Sequence, residues 1–187
     1  RVSSLSPSLS GPLSEMSLAR ERLLPVHQTL APLFGLNADD PTPLALTRGH
    51  TVVCVGSAAM SCALAVLVAP TRAGSWAGVV GLPSCGVQAA ADLGVALERT
   101  VFVADPTGAS RTSGQQGDAA AALSALVDGV DVLLLGQRVV SSLPTSLLRR
   151  LQTRVQSRGG VLVVVGEAKS LASSLSADVR LTATTQQ

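Results

Sequence analysis

The sequence predicts an α/β domain: a mostly parallel sheet flanked by helices on both faces. Three observations carry this. From Thr51 onward, short runs rich in Val and Leu alternate with longer Ala/Leu stretches, the βαβα order of parallel sheets with right-handed crossovers. The short runs are apolar throughout rather than alternating, as in strands covered on both faces. Apolar residues make up 47% of the chain but aromatics only 2%, with no Tyr, so the core must be built from Val, Leu and Ala. The 187 residues suffice for one domain with a real core.

Three segments are expected. Residues 1–13 are rich in Ser, Pro and Gly and read as disordered. Residues 14–43 form a helical arm and a linker. Ser14 caps a first helix to about Leu24, Pro25 breaks it, and a second helix from Val26 to Phe34 carries Leu30, Leu33 and Phe34 on one side, followed by the polar loop LNADDPTP. Residues 44–187 form the α/β core. The chain starts with Arg rather than Met, so both ends are expected to be trimmed.

The core opens with RGHTVVCVGSAAMSCALAVLVAP: a strand Thr51 to Val55, a Gly-Ser turn, and a helix from about Ala58 to Ala69, closed by Pro70. Further strands are expected at Trp76 to Gly81, Thr100 to Ala104, Asp131 to Leu135, Val161 to Val165 and Asp178 to Thr182. Between them fall a helix from Cys85 to Leu93 ended by Gly94, a polar loop from Asp105 to Gly117, and a helix capped by Asp118 running to about Val127. A helix from Pro144 to about Ser157 and a short helical turn from Glu167 to Ser173 complete the series.

Composition excludes several classes. So few aromatics leave no platforms for base-stacking readers of single strands. Three Cys without metal-like spacing suggest neither a disulfide framework nor a metal site. The Ser-rich start does not read as a secretory signal. The uncharged stretch Thr51 to Thr71 approaches membrane-span length, but Gly56-Ser57 interrupts it, so no span is expected. A cytoplasmic location follows as the expectation.

In parallel sheets, function gathers at the carboxyl ends of the strands. The first end has the frame of a phosphate loop, G-x-x-x-x-G-K-[ST], without its chemistry. Counting from Gly56, Ser61 stands at the second glycine, Cys62 at the lysine and Ala63 at the hydroxyl. Strand VDVLLLGQ resembles a Walker-B strand, but Gly136 stands where its Asp is expected. Asp105 reads as a turn starter and Glu167 as a first-turn helix acid. His27 and His50 read as structural or solvent-exposed, and Ser57, Ser61 and Ser84 have no identifiable His-acid partners.

LTRG before the first core strand, then WAGVVGLP, AAADLGV, VDVLLL and VLVVV, in that order, resemble the core of the RecA-like family over residues 44–183. The arm LLPVHQTLAPLFGL ahead of it is similar to actinobacterial ImuA-type proteins (ImuA-prime), RecA-like accessory factors of an error-prone mutasome. The resemblance implies that Leu82 stands at the place of the water-activating Glu, so all three catalytic positions have lost their groups. It further implies a non-catalytic adaptor in damage-induced (SOS) mutagenesis and translesion synthesis, without a cofactor. Its partner would be an ImuB-like, polymerase-related protein and, through it, an error-prone replicative-type polymerase. Self-association through the arm is also implied, with Leu18, Leu23, Leu30, Leu33 and Phe34 as contact candidates. A SulA-like division inhibitor and an ATPase with a divergent loop are the alternatives.

One surface feature needs no resemblance. From Val132 to Gly166 there is no acid, but Arg138, Arg149, Arg150, Arg154 and Arg158 are present. Arg150, Arg154 and Arg158 share a helix face at i, i+4, i+8. The readings are an ordinary solvated face, contact with an acidic protein partner, or a weak contact with DNA phosphates.

Overall fold

A computed structural model describes residues 23–28, 30, 46–107, 115–167 and 175–185. Six parallel strands form the main sheet: β3 (Thr51–Val55), β4 (Ala77–Val80), β5 (Thr100–Val103), β6 (Val132–Gly136), β7 (Val161–Val165) and β8 (Val179–Thr182). Their spatial order is β5-β4-β6-β7-β3-β8, with every neighbouring pair parallel. This is the mostly parallel α/β architecture, with helices on both faces, that the sequence predicts. The apolar runs pair as expected because strands covered on both faces have no solvent side to alternate with. Strands β3, β4, β6 and β7 are buried at every residue.

The helices divide between the faces. Helices α1 (Ala59–Arg72) and α2 (Val87–Leu93) share one apolar layer with Val52, Cys54, Val79, Leu134 and Val163. On the other face Val53, Val55, Leu133, Leu135 and Val164 meet α3 (Gln115–Gly129), α4 (Gln137–Ser142) and α5 (Thr145–Arg158) through Leu123, Val139 and Leu151. Adjacent strand residues point to opposite layers, the period of two that a pleat imposes. Aliphatic side chains fill both layers, as the scarcity of aromatics requires.

Several boundaries differ from expectation for identifiable reasons. Leu23–Leu24 is not the end of a helix; it is a strand, β1, antiparallel to β2 (Leu46–Thr47). Leu24 precedes Pro25, and the proline ring disfavours helical backbone at the residue before it. Residues 25–28 carry no helix either, although the His27 carbonyl accepts a turn bond from Leu30 N–H at 2.9 Å. The rest of the expected arm lies outside the described residues, as does the segment 168–174 of the turn expected after Glu167. Helix α1 does not stop at Pro70 but runs to Arg72. The Thr71 hydroxyl donates back to the Leu67 carbonyl at 2.8 Å and accepts from Ala96 N–H at 3.2 Å, tying this last turn to the connection before β5. Helix α3 begins at Gln115, so Asp118 lies inside it rather than capping it. Helix α4 was not foreseen: Gly136 ends β6 with extended backbone, and six residues then coil. Among the described residues no helix is long and apolar enough to cross a membrane.

At the amino ends of the strands Asp131 gathers three elements. Its carboxylate accepts from Trp76 N–H at 2.9 Å and from Arg48 Nη1 at 3.3 Å, and its carbonyl accepts from Val161 N–H at 2.8 Å. Trp76 itself is 41% exposed, with the Arg99 guanidinium 5.3 Å from its ring centroid.

Candidate functional site

The carboxyl ends of β3, β4, β6 and β7 meet at two adjoining hollows. One, of about 410 Å³, is lined by Gly81, Leu82, Ser84, Gly136, Gln137 and Arg138. The other, of about 710 Å³, runs along the β3–α1 turn past Gly56, Ser57, Met60, Gln137, Glu167 and Arg180. The fold therefore brings the turn at Gly56 and the positions Leu82 and Gly136 to one end of the sheet.

At the β3–α1 turn the backbone is already engaged. Gly56 has φ +103°, and a Cβ there would lie 2.2 Å from the Ala183 carbonyl oxygen. That carbonyl accepts the Ala58 N–H at 3.0 Å, while Ala183 N–H donates to Val55 at 2.9 Å. The Ser57 hydroxyl oxygen accepts Thr185 N–H at 3.0 Å. A phosphate loop needs such N–H groups pointing at its anion; here the strand end after β8 takes up Ala58 N–H. Cys62, at the lysine position, is buried and cannot supply a cation. The Cys54 thiol bonds to it, which with burial pushes Cys54 well above the ordinary thiol range and lowers Cys62. The hollow beside the turn is open. The phosphate-binding groups, not the room, are what is missing.

Between β4 and β6 the smaller hollow also remains, but at Gly136 itself a side chain has no room. A Cβ on Gly136 would stand 2.4 Å from the Gly81 carbonyl oxygen and 2.9 Å from Leu82 Cδ2. Gly81, at φ +66°, has Val139 in the same position: a Cβ there would lie 2.2 Å from its Cγ2. The two positions expected to have lost acids therefore touch each other, with Leu82 covering Gly136. Next to them Gln137 Oε1 accepts the Glu167 N–H at 2.6 Å, joining the ends of β6 and β7. Sequence reasoning missed Gln137. A Gln directly after the glycine of a Walker-B-like strand is the signal that could have drawn attention to it.

The remaining candidates separate. Asp105 Oδ1 accepts Thr107 N–H at 2.8 Å, the turn-starting role expected of it. Leu30, proposed as a partner contact, is buried in this domain's own core, and Leu23 is half-buried. Leu18, Leu33 and Phe34 lie outside the described residues. Arg154 and Arg158 are not free on their helix face. Both reach Asp128 on α3, Arg154 Nε at 2.8 Å from its Oδ1 and Arg158 Nη2 at 2.8 Å from its carbonyl. The acid they meet lies four residues before the acid-free stretch, which is why counting within that stretch overlooked it. Arg154 beside Asp128 holds the carboxyl below the usual carboxylate range. Arg138, Arg149 and Arg150 are exposed. Among the described residues no group of three or more His, Cys, Asp or Glu could hold a metal ion.

Residues 41–170 match the model of the MT3502 N-terminal domain. The chain belongs to that family. The MT3502 N-terminal match runs from just before β2 past the end of β7, so it includes the turn at Gly56, Leu82 and Gly136. It stops short of β8, whose following residues close that turn. Over 141 residues the chain is 30% identical to the Mycobacterium tuberculosis protein Rv3395c; the match covers 73% of this chain and 62% of the mycobacterial protein's length. Among solved structures, the KaiC-like protein PH0186 of Pyrococcus horikoshii overlaps 66% of this chain and 65% of its own, at 14% identity and a TM-score of 0.49.

Proposed function

We propose that this chain is a non-catalytic, RecA-like adaptor in DNA damage tolerance, presenting its surfaces to an ImuB-like, polymerase-related protein during error-prone translesion synthesis. The single observation that carries the non-catalytic part is the contact between Gly136 and Gly81-Leu82. An acidic Mg²⁺ ligand at position 136 would have to displace a backbone carbonyl 2.4 Å away, and a phosphoryl-transfer site needs that ligand. Cys62 at the lysine position and the engaged Ala58 N–H argue the same way. The adaptor role rests on the ImuA-type resemblance of the arm and the core motifs, to which a fold without catalytic groups is suited.

Two measurements test the reading. Titration with a fluorescent ATP analogue and Mg²⁺ should give no saturable binding in the micromolar range, and submicromolar binding with hydrolysis would overturn the non-catalytic reading. Purified ImuB-like protein should be retained by the immobilised chain. Retention of the tubulin-like division protein instead would move the assignment to a division inhibitor.

A further inference from the structure

A groove of about 680 Å³ runs between α3 and α5, away from the strand ends. Its floor is apolar, with Ala120 and Ala121 from α3 and Leu147 from α5; Ser124, Arg149 and Arg150 stand along it. We propose that this groove is the docking site for an acidic amphipathic segment of a protein partner. The proposal deepens the adaptor reading and rests on it for there being a partner.

Charge decides the occupant. Helix α5 carries four Arg and no acid. Asp128 meets Arg154 and Arg158, whereas Arg149 and Arg150 form no ion pair with the described residues. Helix α3 adds only small, uncharged side chains to the described lining. The groove therefore keeps two uncompensated guanidinium groups beside an apolar floor. Carboxylates pair with guanidinium groups in bidentate fashion, and an amphipathic helix lays its apolar side into such a groove. A nucleic-acid backbone would meet the arginines but leave the floor uncovered, and among the described residues no aromatic lines the groove to stack a base.

The test is fluorescence anisotropy of a labelled Glu/Leu amphipathic peptide against the full chain, beside its Lys/Leu counterpart, a labelled DNA duplex and a labelled single strand. The Glu/Leu peptide should bind, weaken with added salt and exceed the Lys/Leu peptide. The double variant Arg149→Glu/Arg150→Glu should weaken it about tenfold or more, as reversal of facing charges does. Ala121→Glu, an exposed change on the α3 side of the groove, should weaken it by a similar mechanism, and Arg138→Glu at the strand ends should leave it unchanged. Arg149→Ala/Arg150→Ala repeats the test without new charges, and circular dichroism confirms that each variant is folded. Failure of the Glu/Leu peptide to bind, or binding indifferent to both groove variants, overturns the proposal. So does binding of either DNA, but not the peptide, through the same arginines. ATP hydrolysis by a chain that still binds the peptide through Arg149 and Arg150 would remove the adaptor reading and leave the groove standing.

Discussion

The β3–α1 turn and the crevice between β4 and β6 lie at the same end of one sheet, yet they depart from the phosphoryl-transfer pattern in different ways. Beside the turn an open hollow of about 710 Å³ remains, but Cys62 stands at the lysine position and Ala58 N–H is taken up by the Ala183 carbonyl. In the crevice a hollow of about 410 Å³ remains too, but position 136 has closed: a Cβ on Gly136 would stand 2.4 Å from the Gly81 carbonyl oxygen, with Leu82 beside it. Loss by substitution leaves the frame intact, whereas loss by closure rebuilds the packing around it. A site of the first kind is defined by its side chains, and one of the second by its glycines.

That contrast breaks first at Gly136. Gly136→Asp should destabilise the protein by about 3–5 kcal/mol, because it overpacks a closed contact and buries a carboxylate without a partner. A urea midpoint equal to wild type would mean that the crevice can open, and the distinction between the two regions would vanish. Gly56→Ala tests the turn. Its φ of +103° and the Ala183 carbonyl both oppose a side chain, and a loss of about 2–4 kcal/mol is expected in the same titration. If that loss were absent, the closing strand end would be a loose neighbour rather than a lock. Asp131→Ala probes the opposite end of the sheet, where no site is proposed. Removing its bonds to Trp76 and Arg48 should cost about 1–2 kcal/mol, less than either glycine change, and a larger cost would show the strand ends to be the less constrained region.

The smallest effect concerns Asp128 and has a definite sign. Its folded pKa is held down by Arg154, so the unfolded chain takes up the proton at the higher pH. The stabilisation is complete above the ordinary aspartate range and is lost as pH falls through the lower, folded value. Thermal melts should show wild type slightly above Asp128→Asn at neutral pH and the two converging in strong acid. A gap that persists there would assign the effect to packing instead.

Much of the core was legible because its strands are apolar runs punctuated by glycine. Gly94 ends α2 in the left-handed conformation, as its position after Leu93 suggested. The arm was less legible. Leu23 and Leu24 fit a helical pattern, but pairing with Leu46 and Thr47 and the proline that follows decide otherwise. At the site, the phosphate-loop and Walker-B patterns pointed to Cys62 and Gly136, and the RecA-like resemblance implied Leu82. They could not reveal that Leu82 lies against Gly136, or that Ala183 caps the turn, because both depend on which strands become neighbours. Asp128 escaped notice for the same reason: its arginines lie 26 and 30 residues further along the chain.

The placing of β3 between β7 and β8 has a consequence for the order of assembly. Both its neighbours come late in the chain: Val52 pairs with Val163 on one side and Val179 on the other. The Asp178 carboxylate, 127 residues from Thr51, accepts the amide at which β3 begins. During synthesis β4, β5 and β6 can pair while β3, already made, waits with both edges bare for strands still to come. Such long-range closure slows folding and leaves unpaired edges exposed meanwhile. The segment carrying the Gly56 turn is thus among the first parts of the core to be synthesised and among the last to be locked in place.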